Sequence, residues 1–207
     1  MNDAAHARDW IASVSARPGG TWQDHGDLIL VGDQVFIGDP TWGSDHHIEN
    51  PIPALAPHLR VWALRDDQGD NLAIWLENTG AQPFRSGQQI EFGIDAAMFA
   101  PGTLAAGQAL VDLGERHKDQ GIGDSFDWLC AQPVYAHRQT GWLTIPPGDH
   151  AMFLATTHAD GGFAATWLMD SDGALSGILI DIRGSHQDGM FIDQLLPPPE
   201  RNPHVHL

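Results

Sequence analysis

PheAlaAlaThrTrpLeuMet (163–169), AspSerAspGly (170–173) and LeuSerGlyIleLeuIleAspIle (175–182) decide the fold class. Two strand-favouring runs flank a stretch of Asp and Gly, residues that accept the backbone angles of a tight turn. The stretch therefore predicts a β-hairpin. AspSerAspGly also resembles the opening of a calcium loop. The Glu such a loop needs is missing and an apolar strand follows at once, so the turn reading prevails. Working outward, LeuArgValTrpAlaLeu (59–64) and AsnLeuAlaIleTrpLeuGlu (71–77) flank AspAspGlnGlyAsp as a second hairpin. LeuIleLeuVal (28–31) and ValPheIleGly (35–38) flank GlyAspGln as a third. Further strands are expected over 89–95, 135–145 and 151–157. Residues 1–20 read as a short helix or tail; 103–118, with Thr103 as N-cap and Gly107 as a weak point, reads as a helix and 126–131 as a second short one. The expected fold is mainly β, a β-sandwich or open antiparallel barrel with one or two short helices. Residues 1–207 are expected to form a single domain, with 1–26 and 196–207 as peripheral tails.

Composition narrows the possible partners. Formal net charge is -17, and Lys118 is the only lysine. Such a surface repels phosphate backbones and anionic membranes, which disfavours nucleic acid and membrane as partners and favours a basic protein. The only cysteine is Cys130, so a Cys-rich zinc site is excluded, and its context reads as a small buried hydrophobe. No apolar leader-like run follows Met1, and a cytoplasmic setting is the expectation. Trp62, Trp75 and Trp167 lie in strand patterns and are expected in the core, whereas Trp10, Trp22 and Trp42 lie in polar, loop-like context.

Three segments carry a resemblance. ThrHisAlaAspGlyGlyPheAlaAlaThrTrpLeuMetAspSerAspGlyAlaLeuSerGlyIleLeuIleAspIle (157–182) is the longest. GlyAspGlnValPheIleGlyAspPro (32–40) and PheGlyIleAspAlaAla (92–97), with Asp112 beyond it, are the others. Together they resemble the bacterial domain-of-unknown-function family 4241. Ala97, Leu168 and Ile182 stand where that family has Gly, Gly and Phe. The resemblance implies a β-rich fold and no particular activity.

The matched segments contribute the carboxylates Asp39, Asp95, Asp112, Asp160, Asp170 and Asp181. Converging, they would suit a hard divalent cation or an acid–base pair. At strand ends, Asp also caps turns by accepting from nearby amides. HisHis (46–47) lies beside Asp45 and Glu49, and HisValHis (204–206) puts alternate imidazoles on one face, a spacing that can chelate zinc or copper, but no His-Glu-x-x-His and no His-x-His followed by spaced acids is present. There is no Gly-x-Ser-x-Gly elbow, phosphate loop or dinucleotide fingerprint. Two readings remain. The first is a non-enzymatic, acidic protein-binding domain without cofactor, such as an immunity protein or inhibitor that neutralises a basic toxin or effector. Its contacts would come from Trp42, Asp45, His46, His47, Glu49, Glu115, Asp119, Asp124 and Asp127. The alternative is a metal-dependent hydrolase or small-molecule-binding β-domain using Asp39, Asp95, Asp160 and Asp181 with one or more histidines.

Overall fold

A computed structural model describes residues 20–30, 34–41, 57–136, 140–148, 150–157 and 160–182. In chain order its elements are β1 (Thr21–Ile29), β2 (Val35–Gly38), β3 (His58–Arg65), β4 (Asn71–Asn78), β5 (Arg85–Ile94) and β6 (Met98–Thr103). There follow α1 (Leu104–Gln120), α2 (Ser125–Cys130), α3 (Pro133–Ala136), β7 (Gly141–Ile145), β8 (His150–Thr156), β9 (Gly161–Met169) and β10 (Leu175–Asp181). One sheet has six strands in the order β1-β3-β4-β10-β9-β5, and the other has four in the order β2-β6-β8-β7. The strand pairs are antiparallel and neither sheet closes on itself, so the architecture is an open two-sheet sandwich with short helices.

Period-two alternation divides the side chains between layers. On β8, Phe153 and Ala155 face the six-stranded sheet, where they join Val61 and Ala63 of β3, Ile74 and Leu76 of β4, and Ile178 and Ile180 of β10. The intervening Met152 and Leu154 face the other way, against Leu110 and Leu113 of α1 and Leu129 of α2. The helices therefore cover the outer face of the small sheet. The outer face of the large sheet carries a third cluster, with Trp22, Leu64, Trp75 and Leu179. Trp75 stacks on half-buried Trp62 at 6.4 Å and meets Trp22 edge-on at 6.3 Å.

Several expectations are corrected. Residues 28–38 do not form a hairpin: β1 pairs with β3 and β2 with β6, in different sheets. The N-terminal tail does not extend to 26, because β1 begins at Thr21, and Trp22 is a buried strand residue. A register shift between Asp24 and Asp27 inverts the alternation along β1, so Trp22 faces the outer cluster while Leu28 faces the inter-sheet core. Of the strand expected over 135–145, Gly141–Ile145 is strand, Tyr135 lies in α3, and 137–139 lie outside the described residues. β6 lies between the strand expected over 89–95 and the helix expected from 103, where no element is expected, and it contains Pro101 and Gly102, residues disfavoured within strands. Pro101 pairs with Ile37 on the β2 side, while the β8 ladder skips from Phe99 to Gly102. Residues 196–207 lie outside the described residues.

Candidate functional site

Two corners of the sandwich gather the chemistry-bearing residues. The first joins all three segments that carried the family resemblance. Asp39 follows β2 and is fully buried. Its Oδ1 accepts from the Thr41 amide at 2.7 Å and the Thr41 hydroxyl at 2.6 Å. Its Oδ2 accepts from the Asp95 amide at 2.7 Å and the Ala96 amide at 3.0 Å. Next in the chain, the Ala97 amide donates to Asp160 at 2.9 Å, and the Ala97 carbonyl accepts from the Thr157 amide at 2.8 Å. The β5–β6 turn is thus held by a buried carboxylate on one side and an exposed one on the other. Ala97 sits at φ 48°, a left-handed conformation unusual for a residue with a Cβ.

This geometry bears on the metal-dependent alternative. Both Asp39 oxygens are occupied by local donors, and the Asp160 carboxylate caps a turn. Asp112 accepts from Gln108 along α1, and Asp170 accepts from the Asp172 and Ala174 amides in the β9–β10 turn. Asp181 is buried on β10, between Ala73 of β4 and Ala164 of β9. The Asp39 and Asp160 carboxylates both accept from the backbone of the β5–β6 turn, to which Asp95 contributes its amide. Among the described residues no three His, Cys, Asp or Glu side chains are grouped as a metal would require.

The second corner is where α1 passes into α2. The αL residue Gly121 ends α1, with its amide donating to the Lys118 carbonyl and the Ile122 amide reaching back to the His117 carbonyl. This is a Schellman ending, which asks for an apolar residue at the second position after the helix. Ile122 occupies that position and is 59% exposed. Asp124 then caps α2, accepting from the Phe126 and Asp127 amides, while Asp127 accepts back from the Asp124 amide. Phe126, 41% exposed, meets Tyr135 of α3 edge-on at 6.4 Å. Gly114 permits this close seating of α2 on α1, since a Cβ there would lie 3.1 Å from the Ser125 Cβ and amide nitrogen.

Of the nine residues expected to contact a partner, Glu115, Asp119, Asp124 and Asp127 come together at this corner. Glu115 and Asp119 are exposed on the last turns of α1, and Glu115 lies 3.6 Å from Lys118. Asp124 and Asp127 carry a structural duty in the capping box as well. Trp42, Asp45, His46, His47 and Glu49 lie outside the described residues. Sequence reasoning named the acidic residues of this corner and missed its apolar members, Ile122 and Phe126. The available signal was an Ile placed just after a helix-ending Gly, where a single apolar residue in a polar loop has no strand or helix to serve.

Cys130, at the end of α2, is half-buried rather than a core residue. Burial pushes its thiol above the ordinary value, and the charges of Asp127 and Asp124 act in the same direction while a hydrogen bond with Tyr135 opposes them. That is the wrong direction for an activated nucleophile. Among the described residues no helix is long and apolar enough to cross a membrane. Comparisons of the chain with protein-family models, curated proteins and solved structures returned no match.

Proposed function

We propose that this chain is a non-enzymatic, acidic protein-binding domain, of the kind that inhibits or confers immunity to a basic toxin or effector. The observation that carries the reading is the α1–α2 corner. Two of the four large hydrophobic side chains exposed among the described residues, Ile122 and Phe126, lie there within five residues of sequence, between the carboxylates of Glu115, Asp119, Asp124 and Asp127. An apolar centre with a charged rim is the usual anatomy of a protein interface. The overall charge of -17 would steer a basic partner toward it and raise the association rate. The convergence of segments 32–40, 92–97 and 157–182 on the Asp39 corner supports reading them as one structural motif, and with it a divergent kinship to family 4241. The test is capture from lysate of the source organism by the tagged protein, washed across a salt series. A single basic protein retained at stoichiometric level and released by salt is the expected result. Retention of no protein, or only of acidic ones, would overturn the reading.

A further inference from the structure

Along one side of the sandwich, β1 and β7 are the outer strands of different sheets, and no ladder ties the one to the other among the described residues. His25 bridges this seam. It lies where the register of β1 breaks between Asp24 and Asp27, and the next residue, Gly26, has φ 88°, which glycine adopts without strain. At this break the His25 ring faces inward. It meets Phe153 of β8 edge-on at 5.0 Å, and Phe153 meets Trp142 of β7 edge-on at 5.3 Å. The Trp142 indole donates to the His25 carbonyl at 2.6 Å. Phe153 belongs to the inter-sheet core, and Trp142 packs against it. The surroundings give a second proton on the imidazole little support. Nε2 is buried and has no hydrogen-bond partner among the described residues. The Asp24 carboxylate is engaged by Arg60 and the Gly26 amide, and Asp27 is bridged to Arg60 as well. Arg65 of β3 adds positive charge nearby. β7 has no ionisable residue, and the one on β8, His150, pairs with Ile145, three residues from Phe153. Burial holds the imidazole's pKa below 6.5, with Arg65 helping and Asp24 opposing.

We infer that His25 is an acid-operated latch: protonating its ring opens the β1–β7 seam while the centre of the sandwich stays folded. A buried charge needs a partner or water, and an imidazolium at this place has no acceptor for Nε2. Attraction to the Phe153 ring returns only part of the hydration that a buried charge loses. Turning the ring outward about the register break reaches water, and Gly26 gives the backbone room for that turn. The movement withdraws the His25 carbonyl from the Trp142 indole and uncovers Trp142 and Phe153 at the rim. The closed seam binds fewer protons than the open one. Closure therefore prevails at neutral pH and is lost progressively as pH falls below 6.5. The inference does not depend on the partner of the α1–α2 corner.

The test is hydrogen exchange followed strand by strand at about pH 7.5 and about pH 5.5, corrected for the intrinsic effect of pH on exchange. Between these values an open state with an ordinary imidazole gains up to roughly tenfold in population. Protection over Thr21–Ile29 and Gly141–Ile145 is expected to fall by up to that factor, while Asn71–Asn78 and Leu175–Asp181 keep theirs. Two variants separate the proton from the packing. His25→Phe fills the place with an uncharged ring, and His25→Gln leaves a polar side chain that does not titrate. In both, protection of β1 and β7 is expected to be the same at the two pH values, whatever its absolute level. Unchanged protection of β1 and β7 in the wild type would overturn the inference, as would a pH step that survives in either variant. An equal loss over all four strands would do so too, because it reports global unfolding rather than a seam.

Discussion

Replacing Asp39 removes the acceptor on which the β5–β6 turn depends, and the cost can be worked from its bonds. The carboxylate is fully buried and accepts four hydrogen bonds, two from Thr41 and two from the Asp95 and Ala96 amides. Thr41 is partly exposed, so its donors can turn to water. The Asp95 and Ala96 amides cannot do so without opening the corner. A buried donor left unmatched costs roughly 1–3 kcal/mol, which puts Asp39→Ala at about 4 kcal/mol. Asp39→Asn can turn its oxygen to the Asp95 and Ala96 amides, which sets its NH2 group against the Thr41 amide and hydroxyl, so it should cost about 2 kcal/mol. For a chain of this size these losses lower the melting temperature by roughly 10 °C. Asp160→Asn is the control: its carboxylate is exposed and holds one amide, so about 1 kcal/mol is expected. Urea unfolding of the three variants, with fluorescence and circular dichroism in agreement, measures the differences. Asp39→Asn within about 0.5 kcal/mol of wild type would refute the reasoning, as would restoration of its stability by a divalent cation.

Three further outcomes follow from single residues. Ala97→Gly should stabilise by about 1 kcal/mol, because glycine relieves the left-handed strain at φ 48° by more than its extra unfolded-state entropy takes back; a thermal melt checks the sign. Glu77 is buried and accepts from the Trp62 indole at 2.7 Å, and burial raises its pKa above 4.5, with that bond and Arg60 opposing. A raised carboxyl binds more protons folded than unfolded, so its contribution is lost as pH rises. Glu77→Gln should melt higher than wild type at neutral pH, with the gap closing below about pH 4.5. His25 lies against Phe153 at 5.0 Å with Nε2 buried and without a partner, and its pKa falls below 6.5 mainly through burial, helped by Arg65 and opposed by Asp24. The folded state then binds fewer protons, so stability should drop as pH falls below about 6.5, and His25→Phe should flatten that slope in a pH series of melts.

Local chemistry was legible in the sequence wherever it was self-contained. The hairpins at 59–77 and 163–182 announce themselves because Asp66 and Asp170 close their own turns, each accepting from amides two and four residues on. Thr103 caps α1 through the Ala106 amide as expected. Gly107, read as a weak point in α1, instead packs against Phe36, whose ring would lie 3.5 Å from a Cβ there. What stayed hidden depends on partners far along the chain. β1 reads as polar because it is an edge strand with half its residues in water, and its assignment to β3 rather than β2 is set by the core. β6 is hidden by Pro101, tolerated where the β8 ladder skips it. Among the carboxylates of the resembling segments, Asp39, Asp95, Asp160, Asp170 and Asp181 lie at strand ends, whereas Asp112 lies within α1. Whether they would converge on an ion or on amides depended on the β5–β6 turn arriving beneath Asp39, which no local pattern encodes.

The central claim, that the α1–α2 corner is a binding surface for a basic protein, is tested most directly with the protein captured from lysate. Its association rate with wild type and with the Glu115→Gln, Asp119→Asn, Ile122→Ser, Phe126→Ser variant would be measured across a salt series. These substitutions spare Asp124 and Asp127, so α2 keeps its cap. The account predicts a wild-type rate that falls steeply with salt, and a variant that associates more slowly, responds less to salt and dissociates faster. Equal rates for the two proteins, or a wild-type rate indifferent to salt, would contradict it.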